Sequence, residues 1–365
     1  MKSLNTDYFS RIDHLRFWAA TLVIFHHFRG KLTLDWTGLD WTGLVTNTIK
    51  SWLINGSSGV SLFLFLTGFL FCIISGYGEK KIRYTGFVYN RILRIFPLLV
   101  LMVFIVITVN RAASTPMDIF RILTLQLNTG QSYTGWGHDF YPTGPIWTIA
   151  VEFQFYLLFP FLALFLCRYG VRYLVILAIL MVAIRFNIQT LAGSKSLYWN
   201  FYHTIIGRLD QFLIGMIFAV FYHRGYLGFL RSKILAIGVS LFSFVGFMYL
   251  FTFQKNSIFY TSFSFMLEAI LWGMVVLSYV IVNINIPKFL DGLLSKLGEV
   301  SFSLYILHLP IGAMVNKLLE LPVPTTVIES LFYSFLKLMV VILVSFVTFY
   351  AIEKPFMSLR VKYTS

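Results

Sequence analysis

The sequence predicts an all-α fold, a polytopic membrane helical bundle of about ten transmembrane helices with both termini on the cytoplasmic side. Three observations carry that reading. Of 365 residues, 58% are hydrophobic and only 12% are charged, where a soluble domain holds about 25% charged residues. The mean hydropathy of +0.78 implies more apolar surface than one core can hide, since even a large domain leaves roughly a quarter of its chain surface in water. Apolar runs of about 20 residues, the length that crosses hydrocarbon, also recur along the whole chain.

Those runs fall near 12–29, 55–76, 92–110, 146–166, 171–190, 205–223, 233–253, 261–284, 299–318 and 327–352. The first keeps Arg16, His26 and His27 inside it and no small-residue cleavage pattern follows, so it reads as a retained anchor rather than a signal peptide. With the N-terminus inside, most of the 29 Lys and Arg fall on the cytoplasmic side, Lys80, Lys81, Arg83, Arg168, Arg172, Arg231 and Lys233 among them. That asymmetry favours an even number of spans; nine or eleven would follow if the 171–190 segment were re-entrant. The net charge of +14 is then a topology signal and a surface for an anionic cofactor, with membrane lipid as partner and no nucleic acid expected.

Connections are short, so residues 1–365 read as a single membrane-embedded domain. The longest outer loop, about 111–145, is rich in Gly, Ser, Thr, Tyr and Pro and ends in YPTGP, and an earlier outer loop carries the tandem DWTGLDWTGL at 35–44. Cys72 and Cys167 lie in separate apolar runs with no paired or metal-like spacing. Both are expected to pack, with no disulfide and no metal site.

An ionisable side chain at membrane depth costs at least about 2.5–3.5 kcal/mol on insertion scales, so each one is a functional candidate. In IDHLRFWAATLVIFHHF at 12–28, Arg16 and His27 are eleven residues apart, about 20° from a whole number of turns and roughly 16 Å along the axis. They share a helix face. A guanidinium suits a phosphate or carboxylate, and an imidazole can serve as general base near neutral pH. The bland reading is a snorkelling Arg and a packed His pair, and His26, about 100° away on the helix, is the rival to His27. Arg91 and Arg94, three apart in EKKIRYTGFVYNRILRIFP, share a face, though positive-inside sorting alone would explain them. Glu152 stands in an apolar run with Tyr156 four residues on, and a buried Glu needs a cation, a hydrogen-bond donor or a proton. Arg208 and Asp210 in GRLDQFLIG could simply pair at the interface. Ser301, Tyr305 and His308 form one polar stripe, and such stripes commonly join helices by hydrogen bonds.

With those segments quoted, the chain resembles the membrane acyltransferase family known as acyltransferase family 3. The resemblance spans nearly the whole chain and keeps one order. It runs through Asp13, Arg16 and His27, then LFLFLTGFL at 62–70 with Thr67 where the family usually has Ser, RILRIFP at 91–97, WTIAVEFQFYLLFP at 147–160, RLDQFLIG at 208–215, SFSLYILHLP at 301–310 and YAIEKP at 350–355.

The resemblance implies an acyl-CoA donor, acetyl-CoA first, on the cytoplasmic side, and an acceptor hydroxyl on the other. That acceptor is expected to be a saccharide of a surface polysaccharide or its lipid-linked precursor, in a bacterial inner membrane. It marks His27, Arg16 and Glu152 as catalytic and Arg91, Arg94 and Arg16 as cofactor-binding. Trp147, beside the outer loop, and Tyr156 are expected to bind substrate. Longer relatives carry an appended hydrolase-like domain that is not seen in these residues, so acceptor handling is expected to rest on the membrane domain or a partner. A saccharide transporter or flippase, or a non-catalytic sensor, are the competing classes. Against the transporter, no Gly/Pro-broken pair of short helices recurs in two halves.

Overall fold

The computed structural model describes residues 8–34, 41–109, 111–113, 115–126, 143–253, 255 and 257–364. The elements in order are α1 (Ser10–Phe28), α2 (Trp41–Ile54), α3 (Ser58–Ile74), α4 (Tyr84–Val109), α5 (Pro116–Leu123), α6 (Thr143–Tyr169) and α7 (Val171–Leu191). They continue with α8 (Tyr198–Tyr202), α9 (Ile205–His223), α10 (Lys233–Leu250), α11 (Ile258–Ile281), α12 (Lys288–Glu299), α13 (Ser301–Leu319) and α14 (Val327–Thr348). The last of these runs on through a π-helical turn at Phe349–Glu353 into α15 (Lys354–Met357). The all-α bundle expected from composition is what forms.

Among the described residues eight helices are long and apolar enough to cross a bilayer, namely α4, α6, α7, α9, α10, α11, α13 and the α14 rod. The pair α2 and α3, bent by 59°, makes nine if it counts as one span. The apolar run at 55–76 is therefore only the second limb of a bent pair. Helix α1 is a further 19-residue helix that carries Arg11, Asp13 and Arg16 in its first two turns. Large apolar side chains stay exposed on the outer faces of α7, α10 and α14, as at Ile176, Phe242 and Phe335, which suits lipid. Cys72 is buried, but Cys167 is exposed on α6, so the expectation that both cysteines pack inside holds only for the first. The tandem repeat and the long outer loop fall partly outside the described residues, which omit 35–40 and 127–142.

Close approach sets the core. Helices α3 and α9 cross where a Cβ on Gly68 would strike the Phe212 carbonyl and one on Gly215 would strike the Phe65 carbonyl. In lipid, helices associate through such contacts between small residues, because apolar side chains gain little from leaving hydrocarbon. Around this crossing Phe155 stacks on Phe212 at 4.0 Å, and Phe71 meets Phe159 at 5.0 Å.

Polar contacts lock the helix ends into register. The Arg11 guanidinium donates to the carbonyls of Tyr279, Val280, Val282 and Ile284 at 2.8–3.1 Å, placing a cation on the C-terminal end of α11 where the helix dipole favours it. Next to it His14 contacts the Tyr279 hydroxyl at 2.7 Å and Ser295 at 3.2 Å. After α15 the chain turns back along the start of α4. There the Asn90 amide donates to the Val361 carbonyl at 2.7 Å and accepts from its N–H at 3.0 Å, and Tyr363 is buried against Phe87. The start of α1, the start of α4, the end of α11 and the C-terminal tail thus share one end of the bundle. At the opposite end the Lys31 N–H meets the Pro324 carbonyl at 3.1 Å, and Thr326 with Glu329 forms a capping box that starts α14.

Replacing Gly68 by Leu is expected to overpack the α3–α9 crossing at a cost of about 1–3 kcal/mol or more. The measurement is thermal unfolding in detergent, where the midpoint should fall; an unchanged midpoint would mean that the crossing has room to spare.

Candidate functional site

One cavity of about 250 Å³ opens among α1, α3, α4, α6, the α12–α13 junction and the C-terminal tail. Its lining includes Asp13 and Arg16 from α1, Thr67 from α3, Arg91 and Arg94 from α4, Glu152 and Tyr156 from α6, Tyr305 from α13, and Arg360 from the tail. Helix geometry explains the convergence. Arg91 and Arg94 are three residues apart on α4, and Glu152 and Tyr156 are four apart on α6, so each pair presents one face. On α1, Asp13 lies where a Cβ on Gly298 would strike its carbonyl. That backbone contact brings the end of α12, and with it Glu299, to the cavity.

The four arginines are unequally matched. Arg16 reaches Asp13 at 3.1 Å on its own helix. Arg94 stands 3.9 Å from Glu353 and 3.1 Å from the Met357 sulfur, with its guanidinium 5.7 Å from the Phe302 ring. Glu353 is fully buried and also accepts from Ser303. Arg91 instead sits in an aromatic clasp, 5.1 Å from the Phe71 ring, 5.4 Å from Phe87 and 5.8 Å from Tyr156. The Nε atoms of Arg91 and Arg360 are buried without a hydrogen-bond partner, and no carboxylate pairs with either arginine among the described residues. Burial, followed by the neighbouring Arg94 and Arg91 guanidinium groups, pushes the proton affinity of Arg360 down. A guanidinium nonetheless keeps its charge in a protein. Cations crowded with donors to spare are the chemistry of an anion site, and paired guanidinium groups suit phosphate oxygens.

Deeper in, the Thr67 hydroxyl donates to a Glu152 carboxylate oxygen at 2.8 Å. The inner end is walled by Tyr305, whose hydroxyl accepts from Thr148 at 2.9 Å and whose ring meets Phe63 edge-on at 5.7 Å. Behind that wall His308 is fully buried, its ring 5.9 Å from Tyr305. The His27 ring lies 5.1 Å beyond it and the His26 ring 5.3 Å further. His27 itself is exposed.

The structure therefore brings Arg16, Arg91, Arg94, Glu152 and Tyr156 into one cavity and leaves two sequence candidates outside it. His27 shares α1 with Arg16 but is not in the cavity lining, and its ring contacts His308, which in turn contacts Tyr305. Glu152 bonds to Thr67 and not to His27. Trp147 is buried between Tyr202 at 4.9 Å and His203 at 4.7 Å. Lys80 and Lys81 are exposed away from the lining, and Arg83 donates to the Lys362 carbonyl.

Asp210 does not pair with Arg208. Its partner is Arg185 at 2.6 Å with both side chains buried, while Arg208 lies 4.1 Å from the Tyr202 ring and 4.3 Å from Phe265. Sequence reasoning missed Arg185, a lone cation inside an apolar run, and Arg360, whose place depends on the tail folding back. The membrane-cost signal applied to Arg185; nothing local marked Arg360. Among the described residues no group of three or more His, Cys, Asp or Glu is placed to hold a metal ion.

Comparison with known proteins puts this geometry in context. The family model described as an acyltransferase domain matches residues 9–350. The O-acetyltransferases OatA of Staphylococcus aureus strains NCTC 8325 / PS 47, COL and MRSA252 are each 25% identical to the chain over 358 residues, covering 90% of it and 55% of their own length. The chain thus spans about half the length of these curated relatives. No solved structure matches it.

If the arginine mouth is an anion site, inorganic pyrophosphate at about 100 times its dissociation constant should stabilise the protein by about 2.7 kcal/mol. Thermal unfolding in detergent should register this as a raised midpoint, largely lost in Arg91→Gln and Arg360→Gln. An equal rise in those variants would place the anion elsewhere.

Proposed function

The chain belongs to the acyltransferase-domain family, and on that premise we propose that it is a multi-pass membrane O-acetyltransferase. It takes acetyl from acetyl-CoA at the arginine-lined end and delivers it to a saccharide hydroxyl reaching His27 from the other end. The observation that carries this reading is a cavity lined by four arginines with Tyr305 in its wall, beyond which the His308 and His27 rings follow in contact. The relatives are O-acetyltransferases by name, which supports the acetyl group. The basic residues gathered at the end that holds both termini support a cytoplasmic donor side, and hence ten spans with N-in and C-in orientation. In a bacterium that membrane is the inner one.

In this proposal Arg91, Arg94, Arg16 and Arg360 hold the donor phosphates at the mouth. The pantetheine arm lies against Leu64, Leu70 and Ile95, which line the cavity. Glu152, kept in place by Thr67, accepts from an amide N–H of the arm. Tyr156 supports Arg91 from below and shapes the arm's path. The thioester comes to rest at the Tyr305 end, and rotation of the Tyr305 ring opens the way to His27. His27 then removes the proton from the acceptor hydroxyl as its oxygen attacks the thioester carbon. Trp147, with Tyr202 and His203, belongs to the acceptor side, where aromatic rings favour a sugar face. The acceptor is a saccharide of a surface polysaccharide or of its lipid-linked precursor.

The test is purified protein in detergent with acetyl-CoA and a saccharide acceptor, read as free thiol released and acetyl transferred. His27→Ala should lower kcat by at least about 10²-fold. Joint replacement of Arg91 and Arg94 by Gln should raise the KM for acetyl-CoA about tenfold or more. Acetyl-CoA that stays intact while the saccharide crosses a vesicle membrane would make the protein a transporter instead.

A further inference from the structure

The residue between the cavity wall and His27 has its own unexplained feature. His308 is fully buried on α13. Its Nδ1 stands 2.6 Å from the Tyr305 carbonyl, an oxygen that can only accept, so Nδ1 carries the proton. Nε2 is then the nitrogen with the free lone pair, and it is buried with no hydrogen-bond partner. An unpaired buried acceptor is costly, and a molecule that keeps one has a use for it.

The groups around this nitrogen say what the use is. The His27 ring lies 5.1 Å away at a tilt of 39°, and the Phe28 ring lies 6.0 Å away. The titratable and charged groups that face the pair are His26 and Arg29 from α1, Tyr305 from α13 itself, and Lys337 from α14, whose Nζ stands 4.8 Å from the Phe28 ring. Arg29 is engaged with His26 at 3.1 Å. No carboxylate pairs with His27 or His308 among the described residues. In a hydrolytic triad an acid fixes the tautomer of the basic histidine and supports its imidazolium form; here the rings beside His27 are those of His26 and His308, and the His308 Nε2 is the one of their nitrogens left buried without a partner among the described residues.

We propose that His308 Nε2 is the hydrogen-bond acceptor for His27, making His308 a positioning residue of the transfer reaction. This rests on the acetyltransferase reading. The order is Tyr305 carbonyl, His308 Nδ1–H, His308 Nε2, N–H of His27, and then the other His27 nitrogen facing the acceptor hydroxyl. In the step itself the acceptor oxygen forms a bond to the acyl carbon as its proton passes to that outward nitrogen. The carbon–sulfur bond breaks and the electron pair leaves with sulfur. His27 then returns the proton to the thiolate, which departs as free thiol. His308 keeps its own proton throughout and supports the transient imidazolium.

The test compares His308→Leu, which removes the acceptor, with His308→Gln, whose amide oxygen reaches toward the same place. Both are purified in detergent, checked for a single monodisperse species, and assayed for thiol release from acetyl-CoA over a range of pH. His308→Leu should lower kcat on the order of 10²-fold with the KM for acetyl-CoA unchanged. The acidic limb of kcat should move to lower pH, because an unsupported imidazolium loses its proton more readily. His308→Gln should recover part of kcat, and should the Leu variant fail to fold, Gln carries the test with the same two readouts. Wild-type kcat and an unmoved acidic limb in a folded Gln or Leu variant, with His27→Ala inactive, would overturn the role of His308 and leave the acetyltransferase reading standing. A wild-type protein that releases no thiol would overturn that reading and this inference with it.

Discussion

An arginine cannot give up its charge inside a membrane protein, so each one must find partners or be held for a ligand. That constraint separates two kinds of arginine in this bundle. Arg185 is fully matched, with Asp210 at 2.6 Å and the carbonyls of Ser262 and Gly207 at 3.0 and 3.2 Å. It fastens α7 to α9 and α11 and needs nothing further. Arg91 and Arg360 keep buried donors without partners, against aromatic rings in one case and other guanidinium groups in the other. The first arrangement is a finished structure. The second is a site that an anion completes, and the proposed donor fits it through its phosphates.

How much of this was legible beforehand follows from how local each signal is. The all-α membrane class came from apolar runs long enough for hydrocarbon, and such runs need no partner to be read. The bend between α2 and α3 falls at Asn55, Gly56 and Ser57, turn residues that signal a break and that a single apolar run over 55–76 passes over. Arg16, Arg91, Arg94 and Glu152 could be singled out because charge at membrane depth is rare and costly. Arg360 lies beyond the last span, and tail contacts such as the pairing of Val361 with Asn90, 271 residues away in sequence, bring it to the cavity. The stripe at Ser301, Tyr305 and His308 has the pattern of a helix-joining one, and Tyr305 does join helices through Thr148. What the stripe concealed was the free nitrogen of His308, which depends on a tautomer that only the backbone contact defines.

Helix α1 gives the molecule its two-ended character. Its first turns are clamped by Arg11 and His14 against α11 and α12, which holds Arg16 at the cavity. Its last turn carries His27 to an exposed position on the far side of Tyr305 and His308. Helical periodicity placed both side chains on one face, but a shared face is not a shared chamber. Between them stand the rings of Phe63, Tyr305 and His308 in successive contact. In the proposed reaction that wall separates a charged cofactor from the acceptor until transfer.

The most direct measurement uses proteoliposomes holding an oligosaccharide acceptor inside and acetyl-labelled acetyl-CoA outside, in vesicles where only outward-facing arginine mouths meet donor. Labelled acetate on the enclosed oligosaccharide is the expected result, since donor and acceptor enter from opposite ends. Transfer only when donor and acceptor share one compartment would contradict a path through the bundle.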